Sequence, residues 1–552
     1  MRRRSWWGWG YEGEGLTDAE IDALGAALGG RLGLDGTRRD PPAIETIELA
    51  PPRMAAPRTL RAFTSDDRRQ RVSHAYGKSY RDVVRALHGR VENPPDLVSR
   101  PRHEGELSSV LDWCAEHGFA VIPFGGGSSV VGGVEPDVGE TYPGAVTVDI
   151  GALDEVLEVD PSSQTARVQC GVLGPALEDQ LRPHGLTLRH FPQSFECSSL
   201  GGWIATRAGG HFATGPTHID DLVESLRVLT PAGVVETRRL PASGAGPSPD
   251  RLFLGSEGTL GVITEAWMRL RRRPQWRAGG AVRFVTFENG AEAVRALAQS
   301  GLAPSNCRLL DPGEALVNGA GDGTAAVLVV GFESADHPLD AWAARAQELV
   351  SDHGGVVDEA SWRGRWTTER HAGGGTEPEG DAGAAEAWRS SFLRGPYIRD
   401  ALVRLGAMCE TFETACTWDR FAALHDSVSS AVRTALVDVG ASQGFVTCRF
   451  THAYPDGVAP YFTVVAPARP GAELEQWDGV KTAASEAVLA NGGTITHHHA
   501  VGRDHRPWYD RQRPDLFAAV LRQAKAVLDP AAICNPGVLV DVARRPLGSH
   551  AP

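Results

Sequence analysis

The sequence predicts an α+β fold in two parts, and three observations carry that expectation. Short apolar runs rich in β-branched residues recur between turn residues from about Pro94 onward. Segments with helical spacing separate these runs but are fewer. Four loops of small residues punctuate the first of the two parts. Before Pro94, a Trp/Gly-rich opening, a helical stretch near Thr17 to Leu32 and Pro-rich text at Asp40 to Pro57 read as an N-terminal extension, residues 1–93. The first domain, 94–274, begins with strand-like Asp96-Leu97-Val98, a helix over Glu104 to Glu116, and a short apolar strand, Phe119 to Pro123, that runs into a glycine loop. Strand signals follow at Ala145 to Ile150, Val156 to Val159 and Thr165 to Cys170, then a helix at Gly174 to Leu181. Val223 to Thr237 reads as a hairpin turned at Pro231-Ala232-Gly233, and Gly261 to Leu270 as a further strand. A second, mixed domain spans 275–510. In it Ala281 to Val350 alternates strand and helix signals, Asp419 to Val437 and Glu473 to Ala490 are helical, and strands from Phe445 to Val465 meet at Pro455-Asp456-Gly457. Pro241 to Asp250 and His371 to Ala385 have loop composition, the second in the place of a mobile lid.

Composition narrows the classes. The chain has 552 residues, 42 % hydrophobic and 22 % charged, which suits a globular protein of several folding units. No apolar run approaches the roughly 18 to 20 residues of a membrane span. A net charge of -14, from 55 Lys+Arg against 69 Asp+Glu, disfavours nucleic acid and gives no support for strong attraction to anionic lipid. The eight cysteines lack metal-finger spacing and read as free thiols in a reducing compartment. The basic start, Met1 to Arg4, is followed by Gly8 to Glu14 where a secretory signal needs an apolar stretch, so a cytoplasmic protein is expected.

Two familiar patterns fail on context. Gly8-Trp9-Gly10-Tyr11-Glu12-Gly13 spells GxGxxG, but no strand precedes it and no helix follows at once. Gly440-Ala441-Ser442-Gln443-Gly444 spells GxSxG between a helix and a strand, the reverse of a nucleophile elbow. The loop Pro123-Phe124-Gly125-Gly126-Gly127-Ser128-Ser129 is stronger, because three successive glycines let backbone N–H groups converge on an anion. Three segments of like character follow: Gln193-Ser194-Phe195-Glu196-Cys197-Ser198-Ser199, then Thr206-Arg207-Ala208-Gly209, then Glu257-Gly258-Thr259-Leu260-Gly261-Val262-Ile263. Four such loops in one domain point to one extended, phosphate-bearing ligand.

These loops resemble the FAD-binding domain of the vanillyl-alcohol-oxidase type flavoproteins. The resemblance implies that Pro123 to Ser129 and Thr206 to Gly209 hold pyrophosphate and ribitol, and that Gln193 to Ser199 and Glu257 to Ile263 line adenosine and flavin. It also implies an inserted mixed α/β cap domain and a return of the chain end, 511–552 with Asp529 to Gly537, to the flavin domain. Ser128 and Ser129 stand where many members carry a flavin-linking histidine, so non-covalent FAD is expected. Within that superfamily the chain is most similar to the alkylglycerone-phosphate synthases, through Trp7 to Tyr11, Tyr397-Ile398-Arg399-Asp400, Phe412-Glu413-Thr414, Trp418-Asp419-Arg420, Cys448-Arg449 and Asn491 to Gly502. That implies exchange of the acyl chain of acyl-dihydroxyacetone phosphate for a long-chain fatty alcohol, the flavin acting as electrophile with no net electron transfer. Peripheral membrane contact and a homodimer are further expectations.

Residue by residue, Arg399 offers a planar fork for phosphate or carboxylate; its plainer alternative is a surface ion pair. Arg308 aligns with a second arginine implicated in activity. Tyr461 aligns with the catalytic tyrosine, and a phenol of pKa about 10 needs roughly 3 units of lowering, about 4 kcal/mol, to be half-ionised at neutral pH. A neighbouring imidazolium or arginine would supply it; the plainer alternative is a core tyrosine with a satisfied hydroxyl. His497, His498 and His499, read as a strand, would point to alternate faces, which makes a metal site from the triplet awkward and favours acid/base work. No metal is expected. The segment His211 to Gly215 departs from the family's basic stretch, which bears on substrate identity. A FAD-dependent oxidoreductase acting on D-lactate or glycolate is the alternative, with Arg399 on carboxylate.

Overall fold

The computed structural model describes residues 3–34, 36–357, 362, 365–366 and 384–541. Of the lid-like segment expected at 371–385, residues 371–383 lie outside the described residues, and Ala384 already begins a helix that runs to Arg404 with Pro396 inside it.

Two small sheets build the first part. One runs in the order Thr64–Ser65, Leu97–Ser99, Ala145–Asp149, Ala120–Phe124, its last three strands parallel. The other is antiparallel, in the order Val156–Asp160, Thr165–Gln169, Val262–Arg269, Val223–Thr230, Gly233–Glu236. The expected hairpin is the last pair, turning at 231–232. Helix Glu104–His117 buries Leu107, Val110, Leu111 and Cys114, one stripe at helical spacing, and stops at Gly118 with φ 69°. This stripe shares a core with both sheets and with Ile533, Val538 and Leu539 from the chain's far end. The far end is sewn in by backbone bonds: Val121 N–H donates to Ile533 O and Asn535 N–H to Val121 O, each at 2.8 Å. Ala120–Phe124 is otherwise an edge strand, so residues 533–535 satisfy its free side.

The second part is a nine-stranded sheet, antiparallel at every pairing, with the path Val356–Val357, Trp276–Phe284, Ala326–Ser334, Asn306–Leu310, Phe445–Ala453, Gly457–Pro467, Ala407–Glu413. Arg365–Trp366 and Cys416–Thr417 pair off that path. Leu297 of helix Phe287–Gln299, Leu424, Val428 and Val432 of Trp418–Asp438, and Trp477 and Val480 of Glu473–Ala490 share a core with Cys307, Leu309, Cys448, Phe450, Phe462 and Val464 of the sheet. Side chains alternate across a strand, so Arg308, Arg449, Tyr461 and Thr463 stand on the other face. Register then aligns them: Arg449 lies opposite Tyr461, and Tyr461 opposite Glu413. The first 93 residues are shared between the parts. Thr64–Ser65 extends a sheet of the first part, whereas Tyr80, Val83, Val84 and Leu87 of helix Tyr80–Leu87 enter the core of the second. Among the described residues no helix is long and apolar enough to cross a membrane.

Candidate active site

The first glycine loop leaves strand Ala120–Phe124 and meets the 193–199 loop at contact distance. A Cβ on Gly126 would run into the Cys197 carbonyl, and one on Gly125 into Ser199 Oγ, so only glycine permits the approach. Among the described residues, no hydrogen bond uses the N–H of Gly125, Gly126, Gly127, Ser128 or Ser129. Five consecutive amides without a protein acceptor fit a phosphate-bearing group. Asn535 ties the loops together, its Nδ2 donating to Glu257 O at 2.6 Å and to Gly133 O at 3.0 Å.

These loops roof a cavity of about 360 Å³ whose floor is the free face of the large sheet, with Arg308, Arg449, Tyr461 and Thr463. His452, His498 and His499 close one side, and Arg399 of helix Ala384–Arg404 another. Arg399 Nη2 donates to Lys78 O at 2.6 Å, and its guanidinium lies 5.6 Å from the Trp9 ring. Arg308 donates to Thr451 O at 2.9 Å and His211 O at 3.1 Å. The Arg449 guanidinium pairs with buried Glu314 and stacks 3.8 Å from the Tyr461 ring centre.

The histidine triplet is not a strand. Residues 497–499 form bends around Glu413, whose carboxylate accepts His497 N–H at 2.7 Å, His498 and His499 N–H at 2.9 Å, and the Thr496 hydroxyl at 2.8 Å. Three amides converging on one fully buried carboxylate override the alternation a strand would impose. The rings of His498 and His499 thereby stand near Tyr461, whose ring centre is 6.3 Å from His498 and 5.5 Å from His499.

The chain has counterparts among known proteins. A family model described as "FAD binding domain" matches residues 95–238, and one described as "FAD linked oxidases, C-terminal domain" matches 273–539. An alkyldihydroxyacetonephosphate synthase of Dictyostelium discoideum is 30% identical over 530 residues, covering 90% of this chain and 83% of that protein. The chain belongs to the alkyldihydroxyacetonephosphate synthase family. A second synthase, from Caenorhabditis elegans, is 31% identical over 511 residues, covering 87% and 82%. A solved alkyldihydroxyacetonephosphate synthase structure matches with a TM-score of 0.77 at 25% identity, over 97% of this chain and 99% of that one. The α+β flavoprotein architecture with a cap is therefore as expected, and FAD is the cofactor its loops serve.

Within this synthase-family site not every residue expected at the cofactor reaches the cavity. Pro123 to Ser129, Gln193, Ser194, Ser198, Ser199, Thr206, Ala208, Gly209, Glu257, Gly258 and Gly261 to Ile263 line it. Phe195 instead stacks on Trp203, Glu196 accepts from the Tyr397 hydroxyl at 3.3 Å, and the Cys197 backbone abuts Gly126. Arg207 pairs with Asp220 at 2.8 Å, the Thr259 hydroxyl bonds Ser256 O, and Leu260 is core. His497 stands behind His498, outside the lining.

Protonation states differ from expectation too. Burial raises the Tyr461 phenol despite the guanidinium over its ring, because removing the phenolate from water outweighs that attraction. Tyr461 is thus a neutral donor and not a pre-ionised base. Burial pushes His498 down to about 3 and His499 to about 4, so both are neutral. Burial alone would raise Glu413, but the adjoining imidazoles, which become cationic in the acid range where a carboxyl titrates, and the backbone N–H groups hold it well below the carboxylate range. Burial brings Arg308 down to about 10, still charged. His452, His497 and His498 offer nitrogens within 4.8 Å of one another, close enough to share an ion. In this structure the His497 nitrogens are engaged by His498, His218 and Tyr454, and the Glu413 carboxylate by N–H groups. Sequence reasoning gave no role to Glu413, Arg449, His452, Tyr454 or His218. Glu413 and Arg449 were visible as motif letters, but only register shows what they face.

Proposed function

We propose that this chain exchanges the acyl group of acyl-dihydroxyacetone phosphate for a long-chain fatty alcohol, releasing fatty acid and forming an ether. The observation that carries the reading is the row Arg449, Tyr461, Glu413 on the sheet face beneath the flavin loops, with neutral His498 and His499 beside it. FAD, held without a covalent link because Ser128 and Ser129 offer no imidazole, supplies the electrophile when bound. Arg399, lining the cavity from the opposite element, holds the phosphate, and buried Arg308 adds positive charge. A neutral imidazole takes the proton from the carbon that bears the ester; His498 is the residue placed for it. Tyr461 keeps its proton and donates a hydrogen bond to the oxygen that gains charge as carboxylate departs.

A cytoplasmic location belongs to this reading, supported by eight free cysteines among the described residues. So does peripheral membrane contact: Leu516, Phe517 and Val520 stand exposed on helix Asp515–Leu528, a suitable surface for an enzyme fed by fatty alcohols. The test is anaerobic incubation of the flavin-loaded protein with acyl-dihydroxyacetone phosphate and labelled hexadecanol. Labelled ether without an electron acceptor is expected. Failure to form ether, together with flavin bleaching by D-lactate or glycolate, would replace the transferase with the oxidoreductase.

A further inference from the structure

We propose that His498, His497 and His218 form a proton relay between the catalytic cavity and the protein surface. The inference rests on the transferase reading, in which a proton leaves the ester-bearing carbon and one later returns to it. Geometry alone orders the tautomers. His218 Nδ1 lies 2.9 Å from Arg207 O, and a carbonyl can only accept, so Nδ1 carries the hydrogen. In the neutral ring Nε2 is then a lone pair. It sits 3.0 Å from His497 Nε2, which must donate. His497 Nδ1 is left as a lone pair, 3.1 Å from His498 Nδ1, which donates in turn. His498 Nε2 is therefore unprotonated, on the residue of the three that lines the cavity.

Two neighbours fix the line. The Tyr454 oxygen is 2.7 Å from His497 Nε2 and 2.9 Å from Thr217 Oγ1, so donation to Thr217 turns its lone pairs toward the His497 N–H. Glu413, through the N–H groups of residues 497–499, fixes the backbone from which the two inner rings project.

The transfer balances. The substrate C–H bond breaks, its electron pair stays with the substrate and spreads into the ketone, and an N–H bond forms at His498 Nε2. The Nδ1 hydrogen of His498 passes to His497 Nδ1, and the Nε2 hydrogen of His497 passes to His218 Nε2. His218 then holds the extra proton as an imidazolium, its two N–H groups donating to His497 Nε2 and Arg207 O, until return of a proton to carbon reverses the shifts. The end state keeps the two His–His contacts, 3.0 and 3.1 Å, with donor and acceptor exchanged, while His218 Nδ1 still donates to Arg207 O and the Tyr454 hydroxyl turns to donate to His497 Nε2. His497 and His498 lie among other imidazoles with side chains 6 % and 16 % exposed, where a charge is costly, while the contact of His218 with Arg207 O lies at the exposed end of the line.

The test uses the flavin-loaded full chain with His218→Ala, and His218→Gln as a second variant should the first fail to retain FAD. Ether formation should fall at least about tenfold in either, with FAD content unchanged. Imidazole added to the buffer should restore His218→Ala. For His218→Gln the rate in mixed H₂O/D₂O should lose the curvature that several moving protons give the unmodified enzyme. Full activity without His218, loss that imidazole does not restore, or unchanged curvature overturns the relay. If the unmodified enzyme makes no ether, the transferase reading itself falls, and the relay with it.

Discussion

The two walls of the cavity are each anchored by a buried glutamate, and the comparison separates their jobs. On the flavin side, Glu257 accepts Val501 and Gly502 N–H at 2.9 and 2.8 Å, and burial still lifts it to about 7. On the sheet side, Glu413 accepts three N–H groups and a hydroxyl and stays well below the carboxylate range. Two donors do not offset burial, whereas four donors and three imidazoles do. The flavin wall recognises with backbone and needs glycine where nothing larger fits. The sheet wall works with side chains brought together by register. Shape governs the first and protonation the second.

That contrast can be broken most decisively at Gly126. Gly126→Ala should leave the protein folded but almost devoid of FAD, because the new methyl meets the Cys197 carbonyl; full flavin absorbance in the purified variant would sink the backbone-recognition account. On the other wall, His498→Gln should bind FAD normally and lose roughly 10²–10⁴ in ether formation, the range of one acid/base group, as read by labelled-alcohol turnover. Retained turnover would move the proton acceptor elsewhere.

A third experiment compares the glutamates directly. Glu257 has an ordinary value of 4.5 but about 7 when folded, so its protonated form favours the fold. That contribution, at most about 3 kcal/mol, is complete below about 4.5 and disappears as pH rises through about 7. Glu413 has the opposite sign, its contribution present above 4.5 and lost as pH falls. Buried histidines held neutral add stability as pH rises, so the readout is the difference: Tm of the unmodified protein minus that of Glu257→Gln should fall as pH rises across this window, and parallel curves would mean that Glu257 is not protonated in the fold. The smallest effect is expected at Arg399→Lys, which keeps charge but loses the fork. KM for the phosphate substrate should rise about tenfold, roughly 1.4 kcal/mol, with kcat little changed.

The same contrast explains what could be read from the sequence. Backbone recognition is local, so Gly125-Gly126-Gly127 announces its loop, and helical spacing marks Gly174–Leu181 and Glu473–Ala490 to the residue. Register is not local. Nothing near Arg308 indicates that its strand will lie beside Phe445–Ala453, and nothing near Glu413 shows that amides 84 to 86 residues onward will converge on it. The phenol at 461 was expected to be pulled down by a cation, and the cation is there; burial, set by the whole fold, decides the sign. Helix Ala384–Arg404 was hidden because Gly395 and Pro396 argue against a helix that packing against strand Ala407–Glu413 supports. His218 carries no pattern at all.

The seam at Val121 bears on how the chain is made. Strand Ala120–Phe124 carries the first flavin loop, yet the backbone that completes its edge comes from Ile533 and Asn535, and Trp9 N–H reaches Asp400 at a separation of 391 residues. On the ribosome the glycine loop emerges early and waits for nearly all the remaining synthesis before its supporting edge is covered. Cofactor capture is thus a late event in biogenesis, and fragments parted near residue 275 each lack what the other provides.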